Sequence, residues 1–96
     1  MLFKVELDVV VPHNVDSEAF NKLKAQEKEY AQKLQRKGVL RHIWRIAGQY
    51  KAISIFDVAS SEELHETLNN LPLYPFLNFR VEAIIRHPSS IHEDDR

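Results

Sequence analysis

The sequence predicts an α+β domain in which a four-stranded antiparallel sheet is covered on one face by two helices. Three observations support this fold class. Four segments alternate apolar and polar side chains, as half-buried strands do, and two segments repeat apolar side chains at helical spacing. These segments follow one another in the order strand, helix, strand, strand, helix, strand, which is written βαββαβ.

The first strand and the first helix have clear limits. The strand is predicted from alternating apolar residues that precede Pro12, namely Phe3, Val5, Leu7 and Val9. Residues 16–38 then predict one long helix, because Asp16 is a suitable N-cap and no Pro or Gly interrupts the segment before Gly38. Gly38 can end the helix in a left-handed conformation.

An acidic side chain lies on the apolar face of this helix. At ~100° per residue this face collects five residues, Phe20, Leu23, Tyr30, Ala31 and Leu34. Glu27 falls near its middle, with Lys24 on the flank, although ionised carboxylates are rarely buried unless they are paired. One interpretation is a kinked or shifted helix, or a Glu27–Lys24 pair at the edge of the core. The other is a pocket under the helix in which Glu27 is the acid/base.

The second and third strands are predicted to form a hairpin. One set of alternating residues is Leu40, His42, Trp44 and Ile46, and the other is Arg41, Ile43 and Arg45. Gly48-Gln49 fits a two-residue turn with glycine first, after which residues 50–58 return as the third strand. The turn fixes the register, which pairs His42 with Ile55, Trp44 with Ile53, and Arg45 with Ala52.

The second helix and the fourth strand complete the pattern. Ser60 and Glu63 form a capping box, and a short amphipathic helix follows with Leu64, Leu68 and Leu71 on one face. An apolar loop with two prolines, residues 71–76, leads to a fourth strand that begins at Leu77. The βαββαβ order is the ferredoxin-like split βαβ pattern. Residues 87–96 lack periodicity and form a C-terminal tail.

Composition excludes several classes of function. The 96 residues are 44% hydrophobic and 28% charged with a net charge of −1, which is typical of one soluble domain without a nucleic-acid-binding surface. There is no cysteine, and the five histidines show no helical metal-binding spacing, so we expect no disulfide and no metal site. The N-terminus has no signal-peptide core, and no segment reaches membrane-spanning length. The expected compartment is the cytoplasm.

The remaining candidates for chemistry surround the long helix and the hairpin. Glu27 is the candidate base, and the supporting residues are Lys24, Arg41, His42, Trp44, Arg45 and Tyr50. Taken singly, Arg41 and Arg45 also fit a solvated or interface sheet face, and Trp44 fits a core residue. Together the set offers a base, cations and an aromatic wall, which suits proton transfer in a small anionic substrate.

The sequence resembles the muconolactone isomerase family along its whole length. The resemblance is carried by the following segments in this order: Met1-Leu2-Phe3, Leu23-Lys24-Ala25, Glu27-Lys28-Glu29, Ala31-Gln32-Lys33-Leu34-Gln35-Arg36, Arg41-His42-Ile43-Trp44-Arg45-Ile46-Ala47-Gly48, Phe56-Asp57-Val58, Leu71-Pro72-Leu73-Tyr74-Pro75 and Arg86-His87-Pro88-Ser89-Ser90-Ile91-His92. Each segment is a weak pattern alone, and the ordered set is specific. It implies a ferredoxin-like subunit of the dimeric α+β barrel type.

The resemblance also implies an activity. The reaction would convert (S)-muconolactone to 3-oxoadipate enol-lactone, in catechol degradation through the β-ketoadipate pathway. It implies a homo-oligomer, a decamer in the family, and no cofactor. From the chemistry, Glu27 suits the proton carrier, Lys24 the acetate or the oxyanion, and His42, Trp44 and Tyr50 the walls and donors.

Two other classes of function remain open for this fold, because a fold alone does not determine function. One is a cofactor-independent oxygenase, and the other is a non-catalytic ligand-binding or assembly module. The tail is expected to contact a neighbouring subunit, because it carries Pro88 and Ile91 on a domain whose own core is small.

Overall fold

The computed structural model describes residues 1–95 and confirms the predicted α+β fold. Its elements are β1 (Leu2–Val9), α1 (Ser17–Arg36), β2 (Leu40–Arg45), β3 (Lys51–Asp57), α2 (Ser61–Asn69), a short 3-10 helix (Tyr74–Phe76) and β4 (Leu77–Ile84). The strands form one antiparallel sheet in the order β2-β3-β1-β4. No helix in residues 1–95 is long and apolar enough to cross a membrane.

The core lies between the sheet and the two helices. β1 contributes Phe3, Val5 and Leu7, all buried, and the helices add buried leucines, namely Leu34 from α1 with Leu64 and Leu68 from α2. We call this side of the sheet the helix face. The opposite side, the open face, carries cross-strand ion pairs between β1 and β4, Lys4–Glu82 at 3.6 Å and Glu6–Arg80 at 3.8 Å.

The long helix has the predicted limits. The Glu18 N–H donates to the side chain of the N-cap residue Asp16 at 3.2 Å, and Gly38 follows the helix with a φ of +77°. Phe20 and Leu34 are the buried residues of α1. The helix is therefore anchored to the core near both of its ends, and Glu27 lies between the two anchors.

The predicted register of the β2–β3 hairpin is confirmed. His42 pairs with Ile55, Trp44 with Ile53, and Arg45 with Ala52. The predicted turn is wrong in detail. The Gln49 N–H donates to the Ile46 carbonyl at 3.1 Å, so the turn centres on Ala47-Gly48, one residue earlier, and β3 begins at Lys51 rather than Tyr50. A longer loop closed by the Ile46–Lys51 hydrogen bond at 3.0 Å keeps the same register.

The alternation predicted along β2 is also wrong at the start of the strand. The pairing is irregular between Leu40 and His42, so Arg41 occupies a bulge. Leu40 is buried in the core, whereas His42 pairs beside Ile55 on the open face. The two residues were predicted to share a face, and the extra residue at the bulge separates them.

The second helix is capped as predicted. The Glu63 N–H donates to the Ser60 hydroxyl at 3.2 Å, and the Glu63 carboxylate accepts from the Ala59 N–H at 2.8 Å. The chain then runs through buried Leu71 and Leu73 into β4. This loop brings its backbone to the middle of α1.

The C-terminal segment contacts its own chain in residues 85–95. The Arg86 side chain donates to the carbonyls of Ser90 at 2.7 Å and His92 at 2.8 Å, and Arg41 donates to the Asp94 carbonyl at 2.9 Å. Ile91 stays 85% exposed. Arg96, the last residue of the predicted tail, lies outside the described residues.

Candidate active site

A cavity of about 660 Å³ lies between α1 and the helix face of the sheet. Four of the predicted site residues line this cavity, namely Lys24, Glu27, Arg45 and Tyr50. Most of the remaining wall is apolar, and includes Leu7, Val9, Ala31, Leu34, Ile43, Phe56, Leu71, Leu73 and Leu77. The predicted pocket under the helix is therefore present, and it is large enough for a small-molecule ligand.

The Glu27 carboxylate is the acidic group of this cavity. It is half-buried, and its Oε1 accepts a hydrogen bond from the Leu73 N–H at 3.1 Å. Burial raises the pKa of Glu27 above its usual value, and the Leu73 hydrogen bond opposes part of that rise. A carboxylate in such surroundings holds a proton more strongly than one in water, as a proton carrier near neutral pH must.

The alternative of a Glu27–Lys24 pair is wrong for this structure. Within residues 1–95 Lys24 forms no ion pair, and its Nζ instead lies 5.8 Å from the centroid of the Phe20 ring. The helix is also continuous over 20 residues. The polar partner of Glu27 comes from the loop after α2 and not from its own helix.

Tyr30 packs beside Glu27 on the same helix, one turn further on. Its hydroxyl donates to the Thr67 carbonyl at 3.4 Å, which joins α1 to α2. Burial, and then the negative charge of Glu27, raise the pKa of Tyr30. Tyr30 therefore stays neutral near pH 7, and its hydroxyl links α1 to α2.

Two cations at the cavity lack carboxylate partners in the described part of the chain. The Arg45 guanidinium lies 5.5 Å from the centroid of the Tyr50 ring, and neither Arg45 nor Lys24 forms an ion pair within residues 1–95. Lys28 adds a third positive side chain to the lining. The cavity thus combines one carboxylate with excess positive charge, an arrangement that attracts small anions.

The other three predicted residues lie on the open face. His42 and Trp44 stack with ring centroids 5.1 Å apart, and Trp44 is 56% exposed rather than part of the core. Arg41 lies 3.8 Å from the Asp57 carboxylate and 3.6 Å from that of Asp95. These residues line a separate cavity of about 420 Å³ beside the C-terminal segment. Within one chain the sheet separates them from Glu27.

Besides the Lys28 side chain, two features of the site were not predicted from the sequence. One is the Leu73 N–H, which is a backbone group and has no residue-type signature. The other is Ser54, which lines the cavity, is 1% exposed and donates its hydroxyl to the Val5 carbonyl at 3.0 Å. A serine between Ile53 and Ile55, in the apolar middle of β3, was a visible signal.

Comparisons with known proteins identify the family and support the fold. Residues 1–90 match the family profile described as muconolactone delta-isomerase. Two curated relatives of that name, from Acinetobacter baylyi and Pseudomonas aeruginosa, are 55% and 52% identical. The first alignment covers 99% of both chains and the second 100%. A crystal structure of muconolactone isomerase at 3.3 Å resolution has a TM-score of 0.93 and 54% identity, with all of both chains covered.

The raised pKa of Glu27 predicts a pH dependence of stability. The Glu27 carboxylate binds its proton more tightly in the folded protein than in the unfolded chain, where its pKa has the ordinary value of 4.5. We therefore compare the free energy of unfolding of the wild type with that of Glu27→Gln. The difference, wild type minus variant, should fall as the pH rises from 4.5 to the raised pKa of Glu27, and should stay constant above that pKa. Urea unfolding of both proteins across this range, at one protein concentration, measures the difference.

The matched control is Glu29→Gln, which removes an exposed carboxylate from the same helix without changing the cavity. A wild-type stability that rises with pH relative to Glu27→Gln would contradict the assignment, because it would mean that the fold favours the ionised carboxylate.

Proposed function

This chain belongs to the muconolactone delta-isomerase family, and from that premise we propose that it converts (S)-muconolactone to 3-oxoadipate enol-lactone at the cavity under α1. The observation that carries the assignment to this cavity is the half-buried Glu27 carboxylate, set in an apolar wall beside two cations that lack carboxylate partners in residues 1–95. The reaction belongs to catechol degradation through the β-ketoadipate pathway.

The reaction moves a double bond inside a five-membered lactone. The ring carbon that bears the acetate arm loses its proton, and the electron pair of that C–H bond delocalises through the ring double bond to the carbonyl oxygen of the lactone. The resulting dienolate takes a proton at the carbon next to the carbonyl, which gives the enol-lactone. The site must therefore hold one proton between two steps, stabilise a developing oxyanion and bind the acetate.

Glu27 fits the role of the proton carrier. Its ionised form accepts the proton from the ring carbon, and its protonated form returns that proton to the carbon next to the carbonyl. Burial raises the proton affinity of the carboxylate, which strengthens it as a base compared with a carboxylate in water. General acid–base catalysis of this kind contributes about 10²–10⁴-fold to the rate.

The cations of the cavity match the two anionic groups of the reacting molecule. The substrate brings an acetate, and the dienolate places a second negative charge on the carbonyl oxygen of the lactone. Arg45 and Lys24 are available for these charges because neither is paired with a carboxylate of residues 1–95. The Arg45 guanidinium packs over the Tyr50 ring, 5.5 Å from the ring centroid.

The residues on the open face have a different place in this proposal. Arg41, His42 and Trp44 are separated by the sheet from a lactone bound beside Glu27 in the same chain. They would act as substrate-binding residues only towards a cavity of a neighbouring subunit. Exposed apolar side chains on the single chain, including Trp44 and Ile91, favour such an assembly.

We further propose a cytoplasmic homo-oligomer, a decamer as the resemblance implies, that uses no cofactor. The curated relatives carry the name of the isomerase, so neither a cofactor-independent oxygenase nor a non-catalytic binding module is favoured. Incubation with muconolactone separates the three. An ultraviolet change without oxygen uptake supports the isomerase, oxygen uptake supports the oxygenase, and binding without turnover supports the module.

Glu27→Gln should keep the fold and the assembly and lose nearly all turnover. The amide preserves the shape of the side chain and removes only the group that takes up the proton, so kcat should fall by at least about 100-fold with little change in substrate affinity. Steady-state kinetics with muconolactone measure this, with Glu29→Gln as the control for lost charge on α1. A variant that keeps more than about a tenth of the wild-type kcat would move the base elsewhere.

The path of the proton is a second test. A single carboxylate over one face of the ring reaches both carbons, and the apolar residues of the cavity wall, such as Ala31 and Leu34, keep water from exchanging the proton it holds. Substrate deuterated at the ring carbon that carries the acetate, turned over in ordinary water, should give product with some deuterium next to the carbonyl, on the face it left. NMR of the product reads this out. Label on the opposite face would exclude a one-base mechanism.

Deletion of residues 88–96 tests the role of the tail in subunit contacts. The exposed Ile91 lies in a segment whose backbone is already shaped by hydrogen bonds from Arg86, so it can present an apolar side chain to a neighbour. The truncated protein should have a smaller assembled mass by sedimentation or light scattering. An unchanged mass and unchanged heat stability would contradict this role.

A further inference from the structure

The Glu27 carboxylate is tied to the protein by one backbone hydrogen bond. The Leu73 N–H donates to Oε1 at 3.1 Å, across 46 residues of sequence. We propose that this N–H is a positioning group for the isomerisation, which fixes the carboxylate through Oε1 and leaves Oε2 as the oxygen that carries the proton. The inference rests on the proposed function, because it assigns a task to each oxygen of the proposed base.

The loop that carries the N–H is rigidly held. Leu71 and Leu73 are 6% and 5% exposed, so both side chains anchor the backbone in the core. Local hydrogen bonds brace the loop on both sides, from the Tyr74 N–H to the Leu71 carbonyl at 2.9 Å and from the Phe76 N–H to the Leu73 carbonyl at 2.8 Å. Pro72 lies between the two anchors and restricts the backbone further. The donor is thus preorganised rather than recruited by the carboxylate.

A carboxylate held in this way has two inequivalent oxygens. Within residues 1–95 no other hydrogen bond to Glu27 is formed, so Oε2 has no protein donor to compete with the substrate proton. Without the Leu73 N–H, the carboxylate would rotate about its terminal torsion, which is broad for glutamate. Rotation would spread the proton over two oxygens and several directions, and a positioned base loses efficiency when its geometry is not fixed.

The same hydrogen bond favours the ionised form of Glu27. It lowers the pKa against the larger effect of burial, so the base is available at a lower pH than burial alone would allow. The other titratable or charged groups around this carboxylate are Tyr30, Lys24 and Lys28 of α1, Arg45 of β2 and Tyr50 of the hairpin loop. None of these is removed by a change confined to the Leu73 backbone.

The test replaces the Leu73 amide with an ester in the full-length protein. Incorporation of the α-hydroxy analogue of leucine at position 73 keeps the side chain and removes only the N–H. The acidic limb of the pH profile of kcat/KM should move up by about one to two units, the range for one hydrogen bond to a charged group. Deuterium transfer to the product should also fall, because a carboxylate that rotates loses its proton to water more often.

The matched control is the same replacement at Phe76. Its N–H donates to the Leu73 carbonyl in the same loop and does not contact Glu27. The Phe76 ester should weaken the loop without moving the acidic limb or the deuterium transfer. If the Leu73 ester shifts neither readout while Glu27→Gln is inactive, the inference is wrong and the proposed function stands. If Glu27→Gln is fully active, Glu27 is not the proton carrier and the inference fails with that assignment. If the wild type does not convert muconolactone, the proposed function itself fails.

Discussion

Desolvation of one carboxylate on the apolar face of α1 is the constraint on which the site depends. An ionised Glu27 packed fully into the core without a partner would be strongly destabilising. The helix is instead anchored by Phe20 and Leu34, which are each 7% exposed, and the position between them is only half-buried. The space that remains under the middle of the helix is the cavity. The acid and its pocket are therefore one feature of the packing.

Several elements of the fold contribute groups to the surroundings of the Glu27 carboxylate. The apolar wall from the sheet raises its proton affinity, and the loop after α2 supplies the N–H that keeps the ionised form accessible. β2 and α1 bring Arg45 and Lys24 to the cavity without pairing them to acids of residues 1–95. The Glu27 carboxylate and these two cations share one cavity without forming an ion pair with each other.

Local sequence signals were sufficient for the scaffold and for the acid itself. Asp16 and Gly38 mark the ends of α1, helical spacing places Glu27 on the apolar face, and the hairpin register follows from residue spacing about Gly48. The apolar–polar alternation along β2 did not predict that Leu40 and His42 lie on opposite faces of the sheet. The bulge at Arg41 inserts one residue, and both faces of this strand mix apolar with polar side chains, so neither periodicity nor composition indicates the change.

The backbone hydrogen bond to Glu27 was also not predictable from the sequence. Leu73 is an apolar residue 46 positions from Glu27, and the group that it contributes is its backbone N–H. Every residue except proline carries such a donor, so only the folded path of the loop selects it. Ser54 is different, because a hydroxyl in an apolar strand is visible in the sequence even though its partner, the Val5 carbonyl, is not.

The most direct test of this account is the titration of Glu27 itself. Carbon-13 NMR of protein labelled at the glutamate carboxyl carbons, with the resonance assigned by its loss in Glu27→Gln, follows the protonation of this one group. The account predicts a pKa above 4.5 that coincides with the acidic limb of kcat/KM for muconolactone isomerisation. A pKa of Glu27 at or below 4.5 would contradict the claim that a desolvated carboxylate carries the proton. An acidic limb of kcat/KM that does not coincide with the titration of Glu27 would contradict it as well.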